Sequence, residues 1–208
     1  MANVLVIKAN DRPADQAVSV QMYDAFVKSY KESHSGDNVT ELDLFKEALP
    51  DYGNVAMTGL FKLNAGMEPT AEEAQGAATV KKYLDLFLAA DKVVFAFPTW
   101  NTVVPAPLVN FISYISQAGV TFKYTEAGPV GLAGDKKVLL LNARGSDYSL
   151  PQMQPYEVAV KYVATALNLL GIQSPEVIVI EGHNQYPDRS AEIVADGIAR
   201  TAKAAASF

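Results

Sequence analysis

The chain has 208 residues, half of them hydrophobic and 19% charged, which suits one domain with a proper core and is too apolar for a disordered chain. Its net charge of −6 argues against nucleic acid and against an anionic membrane surface as partners. It has no Cys, which excludes disulfides, thiolate chemistry and Cys-ligated metals.

The chain opens on Met1-Ala2-Asn3 and runs straight into Val4-Leu5-Val6-Ile7. That apolar run is too short for a signal peptide and lacks a basic leader, and no stretch approaches a membrane span, so a cytoplasmic protein is expected. Val4 to Ile7 has the pattern of a buried strand. From Gln16 to Lys31, Val20, Tyr23, Val27 and Tyr30 recur at helical spacing. Val39 to Leu44 alternates imperfectly and predicts an outer strand. The segment from Pro50 to Pro69 carries Leu60, Phe61 and Leu63 and is read as a long loop, of the kind that serves function or is covered by a partner. Thr70 and Glu73 form a capping-box pattern ahead of a helix to Ala89 that holds Leu84, Phe87 and Leu88.

Val93-Val94-Phe95-Ala96-Phe97 is continuous and β-rich, as expected of a strand covered on both faces. Pro105 and Pro107 fit only the first turn of a helix burying Leu108, Phe111, Ile112 and Ile115. Val138 to Leu141 is a fourth strand. Pro155 opens a helix with Val158, Tyr162, Val163, Ala166, Leu167 and Leu170 on one face, and Gly171 stops it. Val177 to Ile180 is a fifth strand, and a last helix runs from about Ser190 to Ala205. Strands and helices alternate throughout. Right-handed crossovers then predict a single α/β domain over residues 1–208, a doubly wound five-stranded parallel sheet in three α/β/α layers. Its simplest strand order is the flavodoxin-like 2-1-3-4-5.

In such sheets ligands bind beyond the carboxyl ends of the strands, at the point where the strand order reverses. After the first strand, Lys8 to Ser19 leads into a helix whose free amides and Ser hydroxyl suit a phosphate. An ordinary polar-capped loop explains it as well, and Asp11 and Asp15 oppose an anion unless Arg12 offsets them. After the third strand comes Pro98-Thr99-Trp100-Asn101-Thr102, with the only Trp of the chain. It is either a packed aromatic beside a turn or a platform for a flat ring. After the fourth comes Asn142-Ala143-Arg144-Gly145-Ser146-Asp147-Tyr148, where Gly145 lets backbone approach a ligand. A solvated strand-end turn is the preferred reading of Arg144, and charge compensation on a reduced cofactor the sharper one. After the fifth, His183 is read as a surface-loop residue that could touch the site edge. No His/Glu spacing points to metal and no Ser/His/Asp set assembles, a pattern that fits an enzyme whose cofactor performs the chemistry.

The stretches Pro98 to Asn101, Phe122-Lys123-Tyr124-Thr125-Glu126-Ala127-Gly128-Pro129, Ala143 to Gly145 and Glu181 to Asn184, in this order and spacing, resemble the FMN-dependent NADH-azoreductases, also described as NADH:quinone oxidoreductases. The resemblance covers essentially the whole chain. It implies FMN as cofactor and NADH as electron donor. Asn10 and Ala17-Val18-Ser19 would lie at the FMN phosphate, Thr99-Trp100-Asn101-Thr102 under and beside the flavin ring, and Ala143-Arg144-Gly145-Ser146 at its pyrimidine edge. It also implies a homodimer with two sites at the interface. Phe61, Phe122, Tyr124, Tyr148 and His183 are then expected around a flat substrate slot that NADH and a quinone or azo compound occupy in turn. A flavodoxin-type electron-transfer module without its own turnover, and a flavin-free binding domain, are the alternatives.

The chain departs from that family pattern around the ring. Ala17 stands where Ser is usual, and Asn10 where His or Ser is frequent. A hydrogen bond to a charged group contributes about 1.5–3 kcal/mol, so its loss would weaken FMN binding by about one to two powers of ten. Thr102 replaces a common aromatic and Thr99 a larger apolar residue. Ser146 replaces a usual Gly, with backbone strain expected if that position needs positive φ. Together these predict a reshaped pocket or a weaker flavin site.

Overall fold

The structure is a computed structural model describing residues 1–208. Its centre is a five-stranded parallel sheet of β1 (Asn3–Lys8), β2 (Asn38–Asp43), β3 (Lys92–Pro98), β6 (Lys137–Arg144) and β7 (Glu176–Glu181). The spatial order is β2-β1-β3-β6-β7, the doubly wound flavodoxin-like order expected. Strand numbering jumps because a two-stranded antiparallel hairpin intervenes, β4 (Phe122–Thr125) and β5 (Gly128–Gly131). That hairpin was not legible as structure in the sequence.

Alternation within the strands builds two cores. On one face Leu5, Ile7, Val93, Phe95 and Leu140 meet α3 (Ala71–Ala89), α4 (Ala106–Ile115) and α5 (Ala159–Leu169). On the other face Val4, Val6, Val94, Leu139 and Leu141 meet α1 (Val18–Ser33) and α6 (Ser190–Ser207). Both faces are buried, so the inner strands are continuously apolar. Each fully buried side chain such as Phe95 or Phe111 contributes about 1.5–3 kcal/mol against exposure.

The caps largely match expectation. Thr70 and Glu73 exchange both hydrogen bonds of a capping box at the start of α3. Pro105 is the N-cap of α4 and Pro107 lies in its first turn. Gly171, at φ 97°, follows the end of α5.

Several expectations are corrected. The segment 50–69 is not a long loop, because α2 (Asn54–Asn64) fills most of it. Its buried positions are Ala56 and Gly59, too small to register as a hydrophobic stripe, while Phe61 and Leu63 stand exposed. Pro155 opens only a short 3-10 turn, Gln154–Tyr156, and α5 begins at Ala159. Val158 therefore precedes α5 and is exposed, and Leu88 on α3 is exposed as well.

Candidate functional site

A cleft of about 440 Å³ lies beyond the carboxyl ends of the central strands, where the order reverses. The loops after β1, β3, β6 and β7 all reach it. Among its lining residues are Asn10, Arg12, Ala17, Val18 and Ser19 from the first loop and α1, then Pro98, Thr99 and Trp100. Ala143, Arg144, Gly145, His183 and Asn184 close the other side. Asp15 and Arg12 both line the cleft, whereas Asp11 does not.

The phosphate-end residues are ordered by one side chain. Asn10 is buried, accepts the Arg12 amide on Oδ1 (3.0 Å) and donates from Nδ2 to Ser19 Oγ (2.9 Å). It thus holds the loop as an Asx turn and ties it to the first turn of α1. The N-cap Ala17 offers no side-chain acceptor, and the amides of Val18 and Ser19 find none elsewhere in the chain. Two uncapped amides at the positive end of a 16-residue helix, opening on a polar cleft, fit a phosphate.

The loop after β3 is a tight reversal. Trp100 and Val103 exchange both backbone hydrogen bonds (2.9 and 3.0 Å) around Asn101 and Thr102. Those two residues have φ of 50° and 73°. Two central residues at positive φ match a primed hairpin turn; Asn tolerates that conformation, while β-branched Thr102 is strained in it. The strain expected at Ser146 is absent, since Ser146 does not adopt positive φ. In this chain the backbone cost is carried at Thr102 instead. Trp100 is partly buried, with Phe45 edge-on at 6.1 Å, so it is both a packed aromatic and a wall of the cleft. Asn101 is exposed, and neither it nor Thr102 lines the cleft of the single chain.

Asn142, which sequence reasoning passed over, locks this wall. Fully buried at the end of β6, it donates to Phe97 O (3.1 Å) and pairs with Thr99 Oγ1 (3.2 Å). Thr99 N in turn donates to Ala143 O at 2.9 Å. The signal available was a single Asn in an otherwise apolar strand.

Arg144 is neither solvated nor free. Its NH1 meets Glu157 at 3.0 Å, its NH2 meets Glu181 at 2.9 Å, and its guanidinium lies 4.9 Å from the Tyr148 ring centroid. That buried, doubly paired geometry corrects the reading of Arg144 as part of a solvated turn. Gly145 packs closely on the last loop: a Cβ there would lie 2.4 Å from Asn184 Nδ2, so a larger residue must displace the Asn184 side chain. Its carbonyl accepts the amides of Asn184 and Gln185, both at 3.1 Å, joining the last two loops.

His183 is half-buried in the cleft wall rather than on the surface, and its Nδ1 is buried without a partner. Burial pushes its imidazole below the ordinary value, so it is neutral at pH 7. Of the expected slot residues, Phe122 is buried in its own core, edge-on to Tyr124 at 5.4 Å. Tyr124 and Phe61 project into solvent, 75% and 66% exposed, away from the lining of this cleft. Tyr148 packs on Arg144. No cluster of three His, Cys, Asp or Glu side chains is placed to hold a metal ion.

A family model described as a flavodoxin-like fold matches residues 2–205. FMN-dependent NADH:quinone oxidoreductase 2 of Bacillus cereus is 61% identical over 208 residues, all of both chains. The FMN-dependent NADH:quinone oxidoreductase of Brevibacillus brevis is 54% identical over the same full length. Among solved structures, an azoreductase from Bacillus anthracis superposes with a TM-score of 0.97 at 53% identity, covering 100% of each chain. An FMN-dependent NADH-azoreductase from the same species, solved in complex with FMN, superposes with a TM-score of 0.89 at 25% identity, covering 100% of this chain and 99% of that one. The chain belongs to the family of FMN-dependent NADH:quinone oxidoreductases and azoreductases built on the flavodoxin-like fold.

Proposed function

We propose that this protein is an FMN-dependent oxidoreductase that passes two electrons from NADH to quinones or azo compounds in a ping-pong cycle, as a homodimer. The observation that carries the reading is the uncapped first turn of α1 opening on the strand-end cleft, where Asn10 holds Ser19 in place. Bound FMN would supply the redox chemistry, accepting two electrons as hydride from NADH and passing them to the second substrate. The chain's own residues bind and orient. The Val18 and Ser19 amides with Ser19 Oγ would hold the phosphate, and Arg12 offsets Asp15. Thr99, pinned by Asn142, and Trp100 make a rigid wall for a flat ring. Gly145 brings bare backbone to the opposite side. No side chain is needed as a dedicated acid, because solvent reaches an open cleft and can deliver protons.

The dimer reading rests on exposed apolar side chains. Met57, Phe61 and Leu63 on α2 and Tyr124 and Val130 on the hairpin are each at least 43% exposed. Such surface is expected to be covered by a partner. Phe61 and Tyr124, absent from the cleft of the single chain, would then complete the substrate slot of a second copy. No helix is long and apolar enough to cross a membrane.

The test begins with the visible spectrum of the purified protein after incubation with FMN and desalting. A retained flavin band that bleaches with NADH and returns with menadione is expected, without any added reductase. Steady-state rates at varied NADH and quinone should give parallel double-reciprocal lines. Intersecting lines would remove the ping-pong order, and turnover that needs a separate reductase would favour an electron-transfer module.

A further inference from the structure

We propose that Glu157 and Glu181 are positioning residues for the cofactor-edge loop, acting through Arg144, and that their paired negative charge keeps the reduction potential of the bound flavin low. This rests on the reading that FMN occupies the strand-end cleft.

The geometry is a buried three-way clamp. The side chains of Arg144, Glu157 and Glu181 are 10%, 14% and 25% exposed. Arg144 Nε and NH2 both donate to Glu181 Oε2 at 2.9 Å, and NH1 donates to Glu157 Oε1 at 3.0 Å. Each carboxylate also holds a backbone amide. Glu181 Oε2 accepts from Tyr148 N at 2.9 Å, and Glu157 Oε1 from Val160 N in the first turn of α5 at 3.1 Å. One guanidinium therefore ties the exit of β6 to the start of α5 and the exit of β7. The loop from Arg144 to Tyr148 is also anchored to the segment after β7, where Asp147 N donates to Gln185 Oε1 (2.9 Å) and Tyr186 Oη donates to Asp147 Oδ2 (3.1 Å), but only the clamp reaches α5. Gly182 N donates to Arg144 O, and the Gly145 carbonyl accepts the two amides of 184 and 185. Arg144 and Gly145 line the cleft, whereas Glu157 and Glu181 do not.

Charge makes the arrangement more than a brace. An Arg alone in a cleft wall would draw negative charge onto the cofactor and favour its reduced form. Here one cation faces two carboxylates, so the group carries a formal charge of −1. In a partly buried site that charge is weakly screened. The reduced, more electron-rich flavin is disfavoured relative to the oxidised one, and electrons are passed on readily to an acceptor.

The experiment compares wild type with Glu157→Gln and Glu157→Asp by redox titration of the FMN-loaded protein, with FMN dissociation constants and Tm measured alongside. Glu157→Gln retains an oxygen acceptor for Arg144 and Val160 but removes one charge. Its potential should rise as the reduced flavin gains about three- to tenfold in relative affinity, which for a two-electron couple is about 15–30 mV. Glu157→Asp keeps the charge and shortens the reach. It should lower Tm while leaving the potential at the wild-type value. Glu181→Gln should raise the potential as Glu157→Gln does, and a Tyr148 loop loosened by it should also weaken FMN binding severalfold. If Glu157→Gln binds FMN with an unmoved potential, or if Glu157→Asp moves it equally, the proposal is overturned and the clamp is structural only. A wild-type protein that binds no FMN overturns instead the reading on which the proposal rests.

Discussion

At the scale of single residues the site is governed by what a side chain leaves undone. Ala17 caps nothing, so the amides of Val18 and Ser19 remain open to the cleft. Its backbone, at φ −141° and ψ 103°, is the extended conformation that an N-cap Ser adopts. Ala17→Ser should therefore insert without strain and add a hydroxyl beside the phosphate. FMN binding is expected to tighten by about tenfold, from a charge-assisted hydrogen bond of roughly 1.5 kcal/mol. Fluorescence titration of FMN against the apoprotein reads this directly. An unchanged dissociation constant would place the phosphate elsewhere. Thr102 illustrates the opposite case. Nothing in its residue type announces φ 73°; the conformation is imposed by the reciprocal hydrogen bonds of Trp100 and Val103. The sequence pattern pointed to strain at Ser146 because a Gly is usual there, but that Gly is not needed for its φ in this chain.

At the scale of elements, α2 was the least legible helix, and its seam with the well-signalled α3 shows why. Their helix–helix contact depends on missing side chains. Gly59 packs so closely that an added Cβ would lie 2.1 Å from the Glu73 carbonyl oxygen. The Lys62–Glu73 ion pair at 2.6 Å then spans the same seam. Gly59→Ala must push α2 off α3, because the obstruction is helix backbone and cannot rotate away. A destabilisation of about 1–3 kcal/mol is expected, read as a lower urea midpoint with an unchanged slope. Phe61 rides on α2, so the same variant should raise KM for the second substrate if α2 forms part of the dimeric slot. A variant as stable as wild type would show that the two helices separate freely.

At the scale of the whole molecule, titration behaviour follows from where charges are held. Asp37 is held below the ordinary carboxylate range by the Ala2 amide, Glu47 by Lys82, Glu73 by Lys62 and Asp147 by the Ser149 hydroxyl. A lowered native pKa contributes stability that is present above the unfolded value, about 4, and is lost as pH falls through the native one. His183, lowered by burial, adds an earlier loss below about 6.5, because the unfolded imidazole takes a proton that the folded one resists. Burial pushes Tyr114 up to about 12, and that stability is lost as pH rises from about 10 through the native value. Urea midpoints should therefore plateau between about pH 7 and 10 and fall on both sides. A midpoint that holds constant from pH 7 down to 3 would contradict the acid limb.

Sequence alone determined the sheet and its order, because strands buried on both faces must be continuously apolar and right-handed crossovers leave few ways to connect them. It also located the cleft, since strand ends at a reversal point follow from that order, and it placed Asn10, Ser19, Thr99, Trp100 and Gly145 in neighbouring loops. Tertiary structure decided what local pattern cannot encode. The pairing of Arg144 with Glu157 and Glu181 joins residues 13 and 37 positions apart, with only one of the three facing the cleft. The role of Asn142 exists only because β3 lies beside β6. The hairpin and α2 escaped notice because their structural logic is exposure and close approach rather than a buried stripe, and those are properties of neighbours in space.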